Sequence, residues 1–158
     1  MRKKTTLALI LMMNLACAMA QKSGTTGPLS WNYNETSKEL TITGNGAMPN
    51  YDYGAAPWQE YQEGIETVNV GSGVTSIGNN AFCNCIYMTT LSLPAGMETI
   101  GDNAFSYCLS ITSAELPGTI TKIGESAFEG MHQPGEHRSA RGTGDHRRIR
   151  LRRLRGPG

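Results

Sequence analysis

Residues 77–85 read Ile-Gly-Asn-Asn-Ala-Phe-Cys-Asn-Cys, and residues 100–108 read Ile-Gly-Asp-Asn-Ala-Phe-Ser-Tyr-Cys. A third copy, Ile-Gly-Glu-Ser-Ala-Phe, occupies residues 123–128, so the motif recurs with a fixed 23-residue period. Self-similarity at such a period is typical of a solenoid, in which each repeat buries its apolar side only against its neighbours. We therefore predict stacked coils over residues 65–130.

Each repeat begins with a segment in which polar and apolar residues alternate, as in a short strand with one buried face. Met88-Thr89-Thr90-Leu91-Ser92-Leu93 shows this pattern, and residues 65–70 and 111–116 repeat it. Stacking is expected to place these strands side by side in a parallel sheet. The Asn-Asn-Ala-Phe segment and its counterparts are expected to start a helical turn capped by Asn or Asp. The glycine before each of them is expected to adopt a positive φ.

The residues before the repeats predict a small β structure. Residues 31–33 and 40–43 alternate in polarity and are joined by a polar turn, which predicts a hairpin. Because a solenoid needs its open ends covered, we expect residues 21–64 to cap the first repeat. Four aromatic residues form either an exposed contact patch or a hydrophobic lid on that repeat, and the lid is favoured: Tyr51, Tyr53, Trp58 and Tyr61.

The repeat resembles the 23-residue leucine-rich repeat of BspA-like bacterial surface proteins. The motif L-x-L-P-x-x-(V/M/I)-x-x-I-G-x-x-A-F-x-x-C carries the resemblance over residues 65–130, and the segments 29–33, 40–48 and 56–58 are similar to that family's N-terminal region. The resemblance implies an α/β leucine-rich-repeat solenoid of short parallel strands and short helical turns behind a β cap. It also implies binding, with adhesion to proteins or glycans on host or neighbouring cells. The alternative is the N-terminal fragment of a larger exported multidomain protein with an associated enzyme.

Residues 1–20 have the organisation of a signal peptide. A cationic start at residues 2–4 precedes an apolar stretch at residues 7–15 and the small-x-small site Ala18-Met19-Ala20. We expect cleavage after Ala20, with lipidation at Cys17 as the alternative. Either route predicts a protein that is secreted or held at the cell surface.

Residues 131–158 differ abruptly from the repeats. They carry eight arginines against two acidic residues, whereas residues 21–130 carry three lysines against eleven acidic residues, a net charge of −8. As written, the tail is either disordered or a nucleic-acid-binding segment. A third interpretation, a reading-frame change after residue 130, explains more of its residues.

Read one base later, the codons for Met131-His132 give TGC, which encodes a cysteine one repeat period after Cys108. Codons 139–140 then permit Leu-Pro, and codons 146–154 permit Ile-Gly-Glu-Ser-Ala-Phe-Glu-Gly-Cys, in register with the repeats. The basic tail is then not an evolved binding site, and we expect no nucleic-acid partner. A homologous locus that keeps the present frame beyond residue 130 would contradict this interpretation.

Residues 21–130 contain no recognisable combination of catalytic residues. Residues 21–130 contain no histidine, which excludes Ser-His and Cys-His nucleophile pairs there. The cysteines are too few and wrongly spaced for zinc. Cys85 and Cys108 are expected to be buried one repeat apart rather than joined in a disulfide, and Cys83 is expected to be exposed. We expect no enzyme, metal, cofactor or small-molecule substrate.

The remaining candidates for function lie on the surface of the predicted sheet. Residues between the buried strand positions face outward and form two columns of small polar groups suited to hydrogen bonding a protein or glycan surface. These candidate binding residues are Thr67, Asn69, Thr90, Ser92, Ser113 and Glu115.

Overall fold

The computed structural model describes residues 21–111, 114–131 and the pair Arg148–Ile149. These residues contain one short 3-10 helix, Gln59–Tyr61, and eleven strands. The strands are β1 (Gln21–Thr26), β2 (Leu29–Asn34), β3 (Glu39–Gly44), β4 (Gly46–Ala47), β5 (Thr67–Val70), β6 (Val74–Ile77), β7 (Thr90–Ser92), β8 (Thr99–Ile100), β9 (Ala114–Glu115), β10 (Lys122–Ile123) and β11 (Arg148–Ile149).

The first sheet has the strand order β1-β2-β3-β5-β7. The predicted hairpin is present as the antiparallel pair β2–β3, and the Asn34 side chain accepts hydrogen bonds from the Thr36 and Ser37 N–H groups in its turn (2.9 and 3.1 Å). β3, β5 and β7 pair in parallel, so the hairpin covers the edge of the first repeat strand. β1 adds a further antiparallel strand that the sequence does not predict, because its segment lacks apolar alternation.

The second sheet has the order β10-β8-β6-β4, with parallel pairs throughout. Ile77 pairs with Ile100, and Ile100 pairs with Ile123, so equivalent residues of successive coils are neighbours. Each 23-residue coil therefore has a strand on one side, a turn, and a second strand on another side. Parallel strands and fixed register confirm the predicted leucine-rich-repeat solenoid.

One prediction is wrong for the third side of each coil. The Asn-Asn-Ala-Phe segment, which lies there, does not form a helical turn. Alternate backbone donors of the segment bond to the next coil, and the N–H groups between them donate to carbonyls three residues earlier. Asn80 and Asn84 adopt left-handed φ values of 54° and 63°. The N–H groups of Asn80, Phe82 and Asn84 donate to the carbonyls of Asp102, Ala104 and Ser106 at 2.9, 2.8 and 2.9 Å. Bonds between coils satisfy these groups, which leaves no role for an intrahelical ladder.

The repeated glycines are also explained differently from the prediction. Gly78, Gly101 and Gly124 are not among the residues with positive φ; that conformation falls two residues later, at Asn103 for example (52°). A Cβ built on Gly101 would lie 2.4 Å from Asn79 Oδ1 and 2.6 Å from the Asn79 backbone nitrogen. The glycine is needed because adjacent coils approach too closely for a side chain.

The core is a stack of equivalent apolar residues, and one of its columns consists of aromatic rings. Trp58, Phe82, Phe105 and Phe128 lie face to face, with centroids 5.3 to 5.5 Å apart and interplanar angles of 7° to 19°. Trp58 occupies the place before the first repeat ring, and its Nε1 donates to the Ala81 carbonyl at 2.8 Å. The cap thus supplies the first ring of the column.

The tail lies outside the described residues except at Met131 and β11. β11 pairs antiparallel with β9, with Arg148 opposite Glu115 and Ile149 opposite Ala114. The rest of the predicted disordered tail lies outside the described residues, and that expectation stays a prediction.

Candidate binding face

The outward side chains of the first sheet form two rows of mostly small, polar residues that cross three parallel strands. One row is Glu39, Thr67 and Thr90, and the other is Thr41, Asn69 and Ser92. Neighbouring strands lie about 4.8 Å apart, so side chains in one row are within contact distance of each other. We call these six residues the polar face.

The candidate residues with described side chains are distributed as follows. Thr90 and Ser92 are exposed, and Thr67 and Asn69 are half-buried. Glu115 is exposed in β9, one repeat period after Ser92, and β9 lies beside β7. Ser113 lies outside the described residues. The register therefore brings Thr67, Asn69, Thr90 and Ser92 together.

Two residues of the polar face, Glu39 and Thr41, were missed at the level of sequence. Asn69 Nδ2 donates to Glu39 Oε1, and Thr41 Oγ1 donates to the same oxygen at 3.5 Å. The alternation around Leu40 and Ile42 predicts that Glu39 and Thr41 face outward. It does not predict their neighbours, because Glu39 pairs with Thr67, which lies further along the chain than one repeat period.

The four aromatic candidates do not form an exposed patch. Trp58 is fully buried, and Tyr51 packs edge-on against it with ring centroids 5.7 Å apart. Tyr61 stacks on Tyr33 at 5.1 Å. Among the four, only Tyr53 is exposed, at 71% of its surface. Their packing matches a lid on the first coil, and the patch interpretation is wrong.

The three cysteines that the structure describes, Cys83, Cys85 and Cys108, are unpaired and buried. Cys85 and Cys108 occupy equivalent core positions, and Cys108 Sγ donates to the Phe82 carbonyl at 3.1 Å. Cys83 is only 4% exposed, so the expectation of an exposed thiol is wrong. Burial raises the pKa of Cys85 to about 12 and that of Cys108 well above its usual value. The thiolate, which is the reactive form, is therefore suppressed at neutral pH.

Two further kinds of feature are absent from the same residues. Within residues 21–111 and 114–131, no three side chains of the His, Cys, Asp and Glu types converge as metal ligands. Across the described part of the chain, no helix has the length and apolar character needed to cross a membrane.

Comparisons with known proteins agree with the coil geometry. A family model described as a BspA type leucine rich repeat region of six copies matches residues 60–136. A leucine-rich repeat protein of Eubacterium ventriosum, known from a crystal structure, is 29% identical with a TM-score of 0.61; the match covers 72% of this chain and 31% of that one. A leucine-rich repeat protein of T. pallidum is 22% identical with a TM-score of 0.39, covering 68% of this chain and 66% of that one.

The present chain thus spans less than a third of the Eubacterium ventriosum protein. A search of curated proteins finds no match. The 23-residue register, the parallel pairing of the repeat strands and these matches agree: the described coils have a leucine-rich-repeat fold, and residues 60–136 are similar in sequence to a leucine-rich-repeat region of the BspA type.

Proposed function

We propose that this chain is an exported protein that binds other proteins or glycans through its polar face, and that its role is adhesion to host or neighbouring cells. Leucine-rich-repeat regions are commonly protein-interaction modules, and the family match over residues 60–136 supports such a role here. The observation that carries the proposal is the pair of polar rows that cross β3, β5 and β7 in register.

The chemistry of the polar face fits hydrogen bonding to a partner better than catalysis. Thr67, Thr90 and Ser92 offer hydroxyl groups that both donate and accept hydrogen bonds, and two of them are exposed. Short side chains lose little conformational entropy when a partner docks. Glu39 is held by Asn69, which puts a carboxylate at the edge of the face. With a net charge of −8 over residues 21–130, a partner of basic or neutral surface is favoured.

Export is supported by the signal-peptide organisation of residues 1–20, with cleavage expected before Gln21. Expression in a bacterial host followed by N-terminal sequencing tests this directly. Recovery of a product starting at Gln21 outside the cytoplasm supports export, and a retained Met1 start in the cytoplasm contradicts it.

Binding is tested with two matched double variants. Thr67→Lys with Thr90→Lys alters the polar face at residues one period apart, whereas Ser72→Lys with Ala95→Lys alters exposed turn residues that are also one period apart. Surface plasmon resonance against immobilised collagen, laminin and mucin measures the effect. We expect the face pair to weaken any binding seen with the unmodified chain at least about tenfold, and the turn pair to leave it unchanged. Equal effects of the two pairs, or no binding to any of these probes, would count against the proposal.

A further inference from the structure

The third coil ends in an apolar surface that the first two coils do not present. Ile123 is 38% exposed, whereas its equivalents Ile77 and Ile100 are each 1% exposed. Phe128 is only half-buried, although the rings of Phe82 and Phe105 in the same column are fully buried. Such a loss of burial is expected in a coil that no further coil covers.

The same surface carries a row of backbone donors. In the second coil the N–H groups of Asn103, Phe105 and Tyr107 donate to the carbonyls of Glu125, Ala127 and Glu129 at 2.9, 2.8 and 2.7 Å. In the third coil the equivalent donors are the N–H groups of Ser126, Phe128 and Gly130. These three have no hydrogen-bond acceptor in the part of the chain that the structure describes. Pairing is the rule for backbone N–H groups at such an interface.

The interface between coils is already established twice in this molecule, and the end face repeats its geometry. An occupant must supply three carbonyls at alternate residues, an aromatic ring to stack on Phe128 and an aliphatic residue opposite Ile123. A further coil of the same repeat supplies all of them at the same period.

The amino-acid sequence after residue 130 is compatible with codons that encode such a coil when they are read one base later. At position 131 the shifted codon is fixed as cysteine, in the core position of Cys85 and Cys108 that the buried Met131 now occupies. Codon 146 allows isoleucine, one period after Ile123, and codon 151 allows phenylalanine, one period after Phe128. The shifted reading thus permits the residues that the end face requires at the required positions.

We propose that the end face of the third coil is the seat of a fourth coil, whose sequence is that of codons 131–154 read one base later. The pair β9–β11 shows that the first strand of the third coil accepts a partner strand. β11 pairs there antiparallel, whereas the repeat strands β5 and β7 pair in parallel. A fourth coil replaces this contact and extends both sheets.

The test compares the chain as it exists with a frame-restored chain that carries the shifted reading from residue 131. A control of the same length replaces the restored isoleucine of codon 146 and phenylalanine of codon 151 with aspartate. We expect the restored chain to unfold roughly 10 °C higher than both others, and the Phe128 amide to exchange at least about tenfold more slowly in it. Equal unfolding temperatures of the restored chain and its control, with unprotected Phe128, would overturn the proposal.

Measurements on the unmodified chain distinguish a fourth coil from a second copy of the chain as the occupant of the end face. Sedimentation of the unmodified chain should show a monomer in which the Ser126, Phe128 and Gly130 amides exchange rapidly. A dimer that protects these amides would overturn the proposal, because the end face would then be a contact between two copies.

Discussion

Asn79 Oδ1 accepts a hydrogen bond from the backbone N–H of Asp102 at 2.9 Å, from one coil to the next. Asp102 repeats the contact with the Glu125 N–H at 2.8 Å, and Asn50 makes it to the Asn79 N–H at 2.9 Å. The residues expected to cap a helical turn therefore form a ladder that joins the cap and the three coils. This ladder explains the amide or carboxylate at these positions without any helix.

The ladder predicts a graded response at Asp102. Asp102→Ala should lower the free energy of unfolding by about 1 kcal/mol, because the Glu125 N–H loses its acceptor. Asp102→Asn keeps an oxygen in the same place and should cost less than half as much. Urea unfolding of both variants measures the difference. Equal losses would show that the hydrogen bond is not what stabilises the turn.

Close approach of the coils predicts that alanine is not tolerated at Gly101. Gly101→Ala should cost about 2 kcal/mol or more, because the new Cβ would meet Asn79 at less than 3 Å. Gly118 is the matched control, since a Cβ there meets nothing within 4 Å. Gly118→Ala should be neutral or stabilising by about 0.5 kcal/mol. Thermal unfolding distinguishes them, and similar melting temperatures for both variants would refute the steric explanation.

The aromatic column predicts different costs for two equivalent rings. Phe105 is enclosed between Phe82 and Phe128, so Phe105→Ala should destabilise the protein by about 4 kcal/mol. Phe128 is stacked on one side and half-buried, so Phe128→Ala should cost about 2 kcal/mol. Denaturant unfolding provides both values. A loss at Phe128 as large as that at Phe105 would mean that its outer face is already covered.

Burial of Cys85 predicts a loss of stability at alkaline pH. The folded state holds the thiol protonated, with its pKa raised by burial from 9.0 to about 12. The contribution is complete below pH 9.0 and is lost as the pH rises toward 12, by up to about 1.4 kcal/mol for each pH unit. Urea midpoints across this window should fall more steeply for the unmodified chain than for Cys85→Ala. Parallel slopes would contradict the assignment.

The repeat period was enough to predict the coils, their parallel strands and the columns of apolar side chains that stack in the core. It fixed the core because Ile77, Ile100 and Phe105 fall at repeated positions of the motif, and such positions stack in a solenoid. The hairpin followed from alternation and a polar turn. These features depend on local pattern and repetition, both of which are present in one sequence.

The remaining features depend on contacts between coils that local pattern does not encode. Asn79 and Asp102 resemble helix caps in sequence, yet their side-chain oxygens accept hydrogen bonds from backbone N–H groups of the next coil. Glu39 belongs to the polar face because it pairs with Thr67, and the separation of these two residues along the chain differs from the repeat period. Trp58 and Tyr51 were identified as candidates, but only the packing against Phe82 shows that they form the lid.

In the described part of the chain, hydrogen-bonded coils stack from the cap, and no coil covers the outer side of the third. Amide hydrogen exchange of the unmodified chain, resolved by residue, tests this arrangement most directly. Donors between coils should be protected at Asn80, Phe82 and Asn84, where each N–H reaches a carbonyl of the next coil. The equivalent amides of Ser126, Phe128 and Gly130 should exchange rapidly. Rapid exchange at the first set, or equal protection of both sets, would contradict the account.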